Sequence, residues 1–345
     1  MSARLERLRA SLEEPLLVAT PSNIRYLVGF SSSNAALLVE RDRAQLFSDF
    51  RYAEAGRAVA DAEFVETRRN IWSDLADRLS GRLGFEADAV TYAQYETLAG
   101  GELELVPRRG LVESLRAVKD EGELEAIRKA ARITSEALER FAEERFTGRT
   151  ERELAWLLDG LFHELGAAGP AFETIVAGGA NGARPHSRPT DAVVETGQTV
   201  VVDAAAQCDG YCADCTRTFA TGPLPDELKE AYAACLQGQE AGLDAARAGT
   251  SGIDADAAAR TVIEEAGFGE KFGHGLGHGV GLDVHEGPRL SRESSDTLAA
   301  GNVVTVEPGI YLEGLGGIRI EDLVIVTDGE PEVLTSFTKE LVTVN

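Results

Sequence analysis

Two aspartates lie on opposite arms of a short segment, residues 199–219, that has the pattern of a β-hairpin. Asp203 follows a run of valines, and Asp209-Gly210 is a strong signal for a two-residue turn. With this turn, opposed residues have numbers that add up to 419, so Asp214 faces Ala205 and is a diagonal neighbour of Asp203. Two carboxylates so close together, among valine and alanine, repel each other and raise each other's pKa. The hairpin therefore predicts a bound metal cation.

A second candidate segment, residues 273–281, alternates glycine with other residues and contains His274 and His278. A phosphate-binding loop is one alternative, but the spacing fits neither the dinucleotide nor the Walker pattern, and no lysine follows. A plain turn would not require five glycines and two histidines. Glycine lets backbone and substrate approach closely, and imidazole supplies a neutral nitrogen ligand. We expect His285 to follow on a strand that includes Val280–Val284.

Two glutamates occur in apolar runs that predict strands. Glu307 ends the run Val303–Glu307, and Glu321 lies inside the run Ile318–Val326. A single strand glutamate is more often exposed or salt-bridged than a metal ligand. Two of them, together with two aspartates and a histidine-glycine segment, favour metal. Among the five histidines, His163 is the exception, because it lies off the apolar stripe of its helix and is interpreted as a solvated surface residue.

All of these site candidates belong to the second of two domains that the order of elements predicts. Residues 1–116 show short strands alternating with helical stretches, which indicates a small α/β domain without a cluster of metal ligands. We expect this domain to cover one mouth of the site or to pair subunits. Residues 120–345 begin with long amphipathic helices and then become rich in strands. This order predicts an α+β domain, an antiparallel sheet covered by helices.

The local patterns predict the individual elements. In the first domain they are strands near residues 16–18, 36–39, 44–47, 64–66, 83–85 and 103–106 and a helix at 51–60. In the second domain they are a long helix after Asp120, a helix after the capping box Thr150–Glu153, helices near 226–247 and 254–266, and a final strand to the terminus.

The composition excludes several classes of partner. With 34 basic and 58 acidic residues the formal net charge is −24, which argues against nucleic acid or an anionic membrane as partner. No uninterrupted apolar stretch approaches membrane-spanning length. The amino-terminal segment is charged and amphipathic and lacks the apolar core of a signal peptide, so we expect a cytoplasmic protein.

Three of the four cysteines crowd the hairpin, so a zinc cluster is an alternative to the carboxylate site. Cys212 and Cys215, however, lie on opposite faces of the predicted strand and cannot share one tetrahedral ion without bending it. We interpret these cysteines as small buried residues in a reducing compartment; the full set is Cys208, Cys212, Cys215 and Cys235.

The candidate ligands and their neighbours resemble a known set of motifs. Asp203, Asp214, His278, Glu307 and Glu321, in this order, are similar to the five-ligand dinuclear site of the pita-bread metallopeptidases, which include prolidase, aminopeptidase P and methionine aminopeptidase. The first domain resembles the creatinase/prolidase amino-terminal domain. Two mild departures are an alanine where the family often has glycine and a cysteine where an aromatic residue is frequent. The departures are Ala205 and Cys208, and the matching phrases are 184–186, 209–218, 277–286, 306–311 and 316–322.

The resemblance implies two divalent ions, for which manganese is expected and cobalt or zinc are alternatives. Asp203 would chelate one ion, and His278 with Glu307 would bind the other. Asp214 and Glu321 would bridge the two. Four carboxylates and one neutral imidazole balance the charge of two such ions, which would lie about 3.5–4 Å apart and share a water of lowered pKa.

The resemblance also implies the roles of other residues. A metal-bridging hydroxide would attack the scissile carbonyl, with Glu307 carrying its proton to the leaving nitrogen. His186 and His285 would stabilise the oxyanion and steer the leaving amine. His274, Phe172 and Tyr311 are candidates for a proline pocket, Arg289 for pairing with a substrate carboxylate, and Arg319 for orienting the site carboxylates. Core packing of Phe172, strand packing of Tyr311 and ordinary ion pairs of Arg289 and Arg319 are the alternatives.

The implied activity is hydrolysis of the bond before proline, on a peptide with proline at its second position. Asn23–Leu27 resembles aminopeptidase P sequences, whereas Pro288-Arg289 also suits a small prolidase, so an aminopeptidase and a dipeptidase both stay open. Methionine aminopeptidases usually lack the first domain. A creatinase-like hydrolase or a non-catalytic binding module would have lost the ligands. The resemblance alone implies a homodimer.

Overall fold

The structure, a computed structural model, describes residues 3–345. The chain divides into two compact units, Met1–Arg116 and Ala117–Asn345. Met1 and Ser2, with which the predicted first domain begins, lie outside the described residues. No helix within the described range is long and apolar enough to cross a membrane.

The first unit is a six-stranded mixed sheet covered by helices, as the sequence predicts. Its strands are β1 Leu16–Val18, β2 Ala35–Val39, β3 Ala44–Asp49, β4 Glu63–Thr67, β5 Ser80–Glu86 and β6 Glu102–Arg108. They lie in the order β4-β3-β2-β1-β5-β6, and Leu17, Leu38, Phe47, Leu75 and Leu83 lie in the core of the unit. Its helices are α1 Ala3–Ser11, α2 Pro21–Val28, α3 Ala53–Arg57, α4 Ile71–Arg78, α5 Tyr92–Ala99 and α6 Glu113–Ala117.

The second unit is α+β, and every strand pairing in it is antiparallel, which confirms the predicted fold class. Its helices are α7 Glu121–Ala142, α8 Glu151–Glu164, α9 Gly179–Gly182, α10 Asp226–Ala245 and α11 Gly252–Glu265. Its strands are β7 Gly169–Pro170, β8 Ile175–Gly178, β9 Thr199–Asp203, β10 Ala206–Cys208, β11 Tyr211–Cys212, β12 Thr216–Ala220, β13 Gly277–Gly279, β14 Glu286–Leu290, β15 Val303–Val306, β16 Gly309–Leu312, β17 Gly316–Arg319, β18 Asp322–Ile325 and β19 Glu332–Val333.

Two helix pairs enclose the sheets of the second unit. α7 and α8 pack on β9 and β12, whereas α10 and α11 pack on β15 and β18. The predicted capping box is present at the start of α8, where Thr150 accepts from the Glu153 amide and the Glu153 side chain accepts from the Thr150 amide. His163 is exposed at the end of this helix, as predicted.

The hairpin has the predicted turn and register. Asp209 and Gly210 both have positive φ, 48° and 77°, as a type I′ turn requires. Thr216 pairs with Asp203 and Cys212 with Gln207, so opposed residue numbers add up to 419 on both sides of an interruption in the ladder. The interruption separates β9 from β10 and β11 from β12, and it contains Asp214.

The strand predicted over Val280–Val284 is wrong, because the strand is Gly277–Gly279 and a loop follows it. The register of β13 with β14 shifts through a bulge, and the Gly281 amide bonds to the Asp283 carbonyl 3.0 Å away within the loop. His285 therefore lies in a loop, immediately before β14.

The single strand predicted over Ile318–Val326 is two strands, β17 and β18. Between them, the amides of Ile320 and Glu321 leave the ladder and bond to the carbonyls of Pro308 and Thr216. Two other predicted elements are shorter than expected. The α-helix predicted at 51–60 is only α3, preceded by one 3-10 turn, and the predicted final strand is a single bridge of Thr343 with Ala220 after β19.

Candidate active site

Three carboxylates meet at the interruption of the hairpin. Asp203 ends β9, Asp214 lies just before β12, and Glu321 lies in the gap between β17 and β18. One oxygen from each of the three lies within 4.8 Å of the others. We call Asp203, Asp214 and Glu321 the acid cluster. It places the two hairpin aspartates together, as their register predicts, and adds a glutamate from a distant part of the chain.

Two oxygens of the acid cluster have no hydrogen-bond partner in the part of the chain that the structure describes. They are Oδ1 of Asp203 and Oε1 of Glu321, and both are buried. The second oxygen of Glu321 accepts a bond from the Thr216 hydroxyl at 2.7 Å, and the second oxygen of Asp203 accepts one from Arg319 at 2.6 Å. Buried carboxylate oxygens without a donor are costly, so these two atoms point to a ligand that supplies positive charge.

The electrostatics of the acid cluster agree with this inference. Burial raises the pKa of Asp214 well above its usual range, and the charges of Glu321, Asp203 and Glu307 add to the effect. Burial, together with Glu307 and Asp203, does the same to the pKa of Glu321. Burial also raises the pKa of Asp203, against the opposing charge of Arg319.

His278 and Glu307 form a second group beside the acid cluster, which we call the imidazole–carboxylate pair. Nε2 of His278 lies 3.1 Å from Oε1 of Glu307 and 3.7 Å from Oδ2 of Asp214. The Thr305 hydroxyl donates to Glu307 at 3.1 Å and accepts from the His278 amide at 3.1 Å. Burial alone would raise the pKa of Glu307, but the hydrogen bond and charge of His278 outweigh it and lower the pKa to about 2.

A chain of polar contacts leads from the acid cluster to the histidine-glycine segment. Arg319 donates to Asp203, to the Thr216 hydroxyl at 3.0 Å and to the Tyr311 hydroxyl at 3.0 Å. The Tyr311 hydroxyl lies 3.0 Å from Nε2 of His274. Burial raises the pKa of Tyr311 to about 12 and lowers that of His274, so both groups are uncharged near neutral pH.

The candidate residues share one cavity of about 440 Å³, a size typical of small-ligand sites. His285 contacts His278 there, with ring centroids 4.3 Å apart, and burial followed by the charges of His278 and Arg289 lowers the pKa of His285. His186 and Arg289 are exposed, and Phe172 is half-buried. The lining includes Phe172, His186, Asp203, Asp214, His274, His278, His285, Arg289, Glu307, Tyr311, Arg319 and Glu321, which is every site residue that the sequence suggested.

Several residues of the site were missed by the sequence analysis. Thr216 and Thr305 hold the carboxylates, and each lies two residues from an acidic candidate, Asp214 or Glu307. Because side chains two apart on a strand share a face, this spacing was an available signal. The cavity wall also includes Ile175, Pro185, Val284 and Ser291, for which no signal was available in the sequence.

The alternative roles of the cysteines can be decided. Cys208, Cys212, Cys215 and Cys235 are all buried and none is in a disulfide. Burial raises the pKa of the Cys212 thiol to about 11 and that of Cys235 to about 12, so neither is poised to bind a metal as thiolate. None of the four lines the cavity. The zinc-cluster alternative is therefore not supported, and their interpretation as small buried residues is confirmed.

The residues of the cavity fit divalent cations. Four carboxylates and one imidazole form an oxygen-rich donor set, and two of the buried oxygens have no other donor among residues 3–345. The charge of Arg319 reaches mainly Asp203, which leaves Asp214 and Glu321 without a cation of their own in hydrogen-bond contact within that range. Divalent ions would relieve this repulsion.

Comparison with known proteins agrees with the fold and the cavity. The chain matches the model of metallopeptidase family M24 over residues 125–328 and that of the creatinase/prolidase N-terminal domain over residues 4–118. It is similar to the structure of Xaa-Pro dipeptidase from Bacillus anthracis, with a TM-score of 0.95, 38% identity and 99% of both chains covered.

Two other relatives are similar over nearly their full length. The structure of X-Pro aminopeptidase from Thermotoga maritima has a TM-score of 0.87 and 35% identity, with 96% of this chain and 97% of that chain covered. The Xaa-Pro dipeptidase of Pyrococcus furiosus is 34% identical over 350 residues, 99% of this chain and 100% of that protein. The fold and the site thus define a two-domain metallopeptidase with a pita-bread catalytic domain. The chain belongs to metallopeptidase family M24.

Proposed function

We propose that this chain is a dinuclear-metal exopeptidase that hydrolyses the Xaa-Pro peptide bond. The observation that carries the proposal is the convergence of the acid cluster and the imidazole–carboxylate pair on one cavity. Similar proteins named Xaa-Pro dipeptidase and X-Pro aminopeptidase support the preference for proline. A methionine aminopeptidase of the same fold is a weaker candidate, because the chain carries a creatinase/prolidase N-terminal domain.

Two divalent ions, with manganese as the expected metal, are part of this proposal. Asp203 would hold one ion, the imidazole–carboxylate pair would hold the other, and Asp214 and Glu321 would bridge them. Bound there, such ions polarise a carbonyl group and lower the pKa of a coordinated water. An oxygen-rich donor set suits manganese or cobalt better than zinc.

The side chains of the cavity would supply the remaining functions. Glu307 is a carboxylate near neutral pH, because His278 lowers its pKa, and it is proposed to carry a proton to the leaving nitrogen. His285, which contacts His278, and His186 are both exposed on the cavity lining and are proposed to stabilise the oxyanion and steer the leaving amine.

Other residues that line the cavity are proposed to bind the substrate. Phe172, His274 and Tyr311 would line a proline pocket, and Arg319 would orient Asp203. Arg289 has no carboxylate within 4.0 Å of its guanidinium in the described part of the chain, so it is available to pair with a substrate carboxylate. A free carboxylate directly after proline exists only in a dipeptide, whereas longer peptides carry it further away.

The wider setting of the enzyme is also proposed. Four buried free cysteines support a reducing compartment, for which the cytoplasm is the expected location. The substrate is a peptide with proline at its second position, and neither nucleic acid nor membrane is an expected partner of a chain with a net charge of −24. A homodimer is proposed from the family alone.

Turnover by metal-stripped and reconstituted protein tests the proposal. The stripped protein is assayed on Ala-Pro, Ala-Pro-Ala and Met-Ala, before and after addition of Mn²⁺, Co²⁺ or Zn²⁺. We expect no activity without metal and cleavage before proline with it. Failure of all three metals to restore cleavage would rule out the function, and preference for Met-Ala would replace it. The ratio of rates on Ala-Pro and Ala-Pro-Ala separates a dipeptidase from an aminopeptidase.

A further inference from the structure

A buried ion pair on α11 has contacts that reach beyond its own helix. Asp256 and Arg260, four residues apart, form a two-pronged pair with distances of 2.7 and 2.8 Å. The side chains are 1% and 7% exposed. Neither residue lines the cavity, and neither is among the residues that the proposed reaction uses.

The remaining hydrogen bonds of this pair go to the backbone of residues 272–276, at the start of the histidine-glycine segment and just before it. Arg260 donates to the carbonyl of Phe272 at 2.8 Å and to that of His274 at 2.7 Å. Asp256 accepts a bond from the amide of Leu276 at 3.0 Å. The guanidinium also lies over the Phe272 ring, 4.0 Å from its centroid. One ion pair therefore fixes the backbone of three alternate residues, Phe272, His274 and Leu276.

The start of this segment is held less tightly than the part that follows, where the Leu276 carbonyl accepts a bond from the Glu307 amide at 2.8 Å and Gly277 begins β13. His274 stands between Gly273 and Gly275, and glycine has more conformational freedom than any other residue. A Cβ at Gly273 would meet nothing within 4 Å, so its backbone is not confined by close neighbours. The hydrogen bond from Arg260 to the His274 carbonyl therefore restrains the backbone next to the unconfined Gly273.

The side chain of His274 points away from α11 and into the cavity. Its Nε2 lies 3.0 Å from the Tyr311 hydroxyl, which accepts from Arg319, and Arg319 in turn donates to Asp203. The orientation of His274 is therefore coupled, through two hydrogen-bonded side chains, to a carboxylate of the acid cluster. A geometric error of about 1 Å at a substrate-contacting group can cost about a hundredfold in rate.

We propose that Asp256 and Arg260 are positioning residues for His274, and that through it they set the wall of the substrate cavity. This inference rests on the proposed function for its kinetic consequence, but its structural consequence is independent of it. A buried ion pair is often no more stabilising than apolar residues of similar volume. The hydrogen bonds of Asp256 and Arg260 to the backbone of residues 272–276 give this ion pair a role other than stabilisation, which is to position that backbone.

Hydrogen exchange of the metal-stripped protein tests whether Asp256 and Arg260 hold the backbone of residues 272–276 in place, without any assay of activity. Arg260→Lys keeps the charge but cannot span two carboxylate oxygens and two carbonyls with one ammonium. We expect amides in residues 274–278 to exchange at least about tenfold faster, while β9 and β12 are unchanged. Asp256→Asn, which retains an acceptor for the Leu276 amide, should give a smaller increase in the same peptide.

Two control variants separate positioning from general destabilisation. Arg128→Lys weakens another two-pronged pair, with Glu332 at 2.8 and 3.0 Å, and should leave exchange in residues 274–278 unchanged. Ile263→Ala removes core packing of the same helix α11 without touching the ion pair. The proposal is overturned if Ile263→Ala increases hydrogen exchange in residues 274–278 as much as Arg260→Lys does, when the two variants lose the same free energy of unfolding.

A double-mutant cycle with His274→Ala tests the kinetic half on the reconstituted enzyme. Arg260→Lys alone should lower kcat/KM on Ala-Pro by about tenfold to a hundredfold. In the His274→Ala background it should have little further effect, because its target is gone. Fully additive effects would show that Arg260 does not act through His274. If the wild type cleaves no Xaa-Pro peptide, the proposed function fails, and the exchange experiment still decides the positioning role.

Discussion

The two halves of the candidate metal site have opposite electrostatic character, although both contribute carboxylates to the same cavity. In the acid cluster, burial raises the pKa of all three members, and the charges of nearby carboxylates, which include Glu307, add to the effect. In the imidazole–carboxylate pair, His278 outweighs burial and lowers the pKa of Glu307 to about 2. In the first half, Asp214 and Glu321 have no cationic side chain in hydrogen-bond contact among the described residues, whereas Glu307 of the second half lies 3.1 Å from His278.

This difference indicates that the two halves of the site affect the free energy of unfolding of the metal-free protein in opposite directions. The imidazole–carboxylate pair is satisfied by protein atoms, including the Thr305 hydroxyl. The acid cluster leaves Oδ1 of Asp203 and Oε1 of Glu321 without donors among the described residues. We therefore expect the cluster to destabilise the metal-free fold, and expect bound ions to reverse that effect. Sites held in an unfavourable state by the surrounding fold are typical of function.

The largest expected effect is that of Asp214→Asn. Removing the proposed bridging carboxylate should reduce turnover of Ala-Pro below detection, even with Mn²⁺ in excess. The same change removes a repelling charge, so the metal-free variant should be more stable than the wild type near neutral pH. Each unit of pKa shift corresponds to about 1.4 kcal/mol. Chemical denaturation of both metal-free proteins measures the gain, and unchanged activity would contradict the bridging role.

Glu307→Gln should give the opposite sign of stability change in the metal-free protein. Its carboxylate is bonded to His278 and Thr305, and hydrogen bonds to charged groups contribute about 1.5–3 kcal/mol. We expect a loss of this order, together with loss of turnover, measured by the same denaturation experiment. A stabilised Glu307→Gln variant would show that the two halves of the site do not differ as described.

The pH dependence of metal-free stability sharpens the same contrast. When the pKa of a carboxyl group is higher in the folded protein than in the unfolded chain, its contribution to stability is fully present at pH values below the unfolded pKa, near 4. That contribution is lost as the pH rises through the folded pKa. The acid cluster should therefore destabilise the metal-free protein progressively above pH about 4. The stability that Glu307 contributes is present above its unfolded pKa and is lost as pH falls through about 2.

Thermal unfolding of metal-free wild type and Asp214→Asn, measured across this range, isolates the contribution of the cluster. The advantage of the variant should be small at pH 4, increase toward neutral pH, and vanish when Mn²⁺ stabilises the wild type. An advantage that does not change with pH would mean that repulsion is not its cause.

The hairpin half of the site could be predicted because its determinants are local. Asp209 and Gly210 fix the turn, the turn fixes the register, and the register brings Asp214 beside Asp203. The conformation around Glu321 could not be predicted, because it leaves the ladder to bond with the Thr216 carbonyl, 105 residues earlier in the chain. The largely apolar sequence Ile318–Val326 contains no glycine or proline that would signal such a break.

The histidine-glycine segment shows the same limit. No strand is predicted over Gly277–Gly279, yet these residues form one because β14 and β15 flank them. His285 is predicted on a strand but lies in a loop, because the pairing of β13 with β14 ends at Gly279 and Glu286. The anchoring of this segment by Arg260 depends on tertiary contacts with α11, which periodicity along one helix does not indicate.

The smallest expected effects come from the two threonines that hold the carboxylates. Thr305→Val removes a donor to Glu307 and an acceptor for the His278 amide and should cost about 1–3 kcal/mol in stability of the metal-free protein. Thr216→Val removes a donor to Glu321 and an acceptor for Arg319. Both contacts belong to the acid cluster, whose repulsion bound metal ions are proposed to relieve.

For Thr216→Val we expect the main loss in metal affinity, about tenfold to a hundredfold, because second-layer hydrogen bonds orient the ligands. Titration of both stripped variants with Mn²⁺, followed by calorimetry, measures this directly. If Thr305→Val weakens Mn²⁺ binding more than Thr216→Val does, then the proposed division is reversed. The imidazole–carboxylate pair, rather than the acid cluster, would then be the part of the site that depends on the metal.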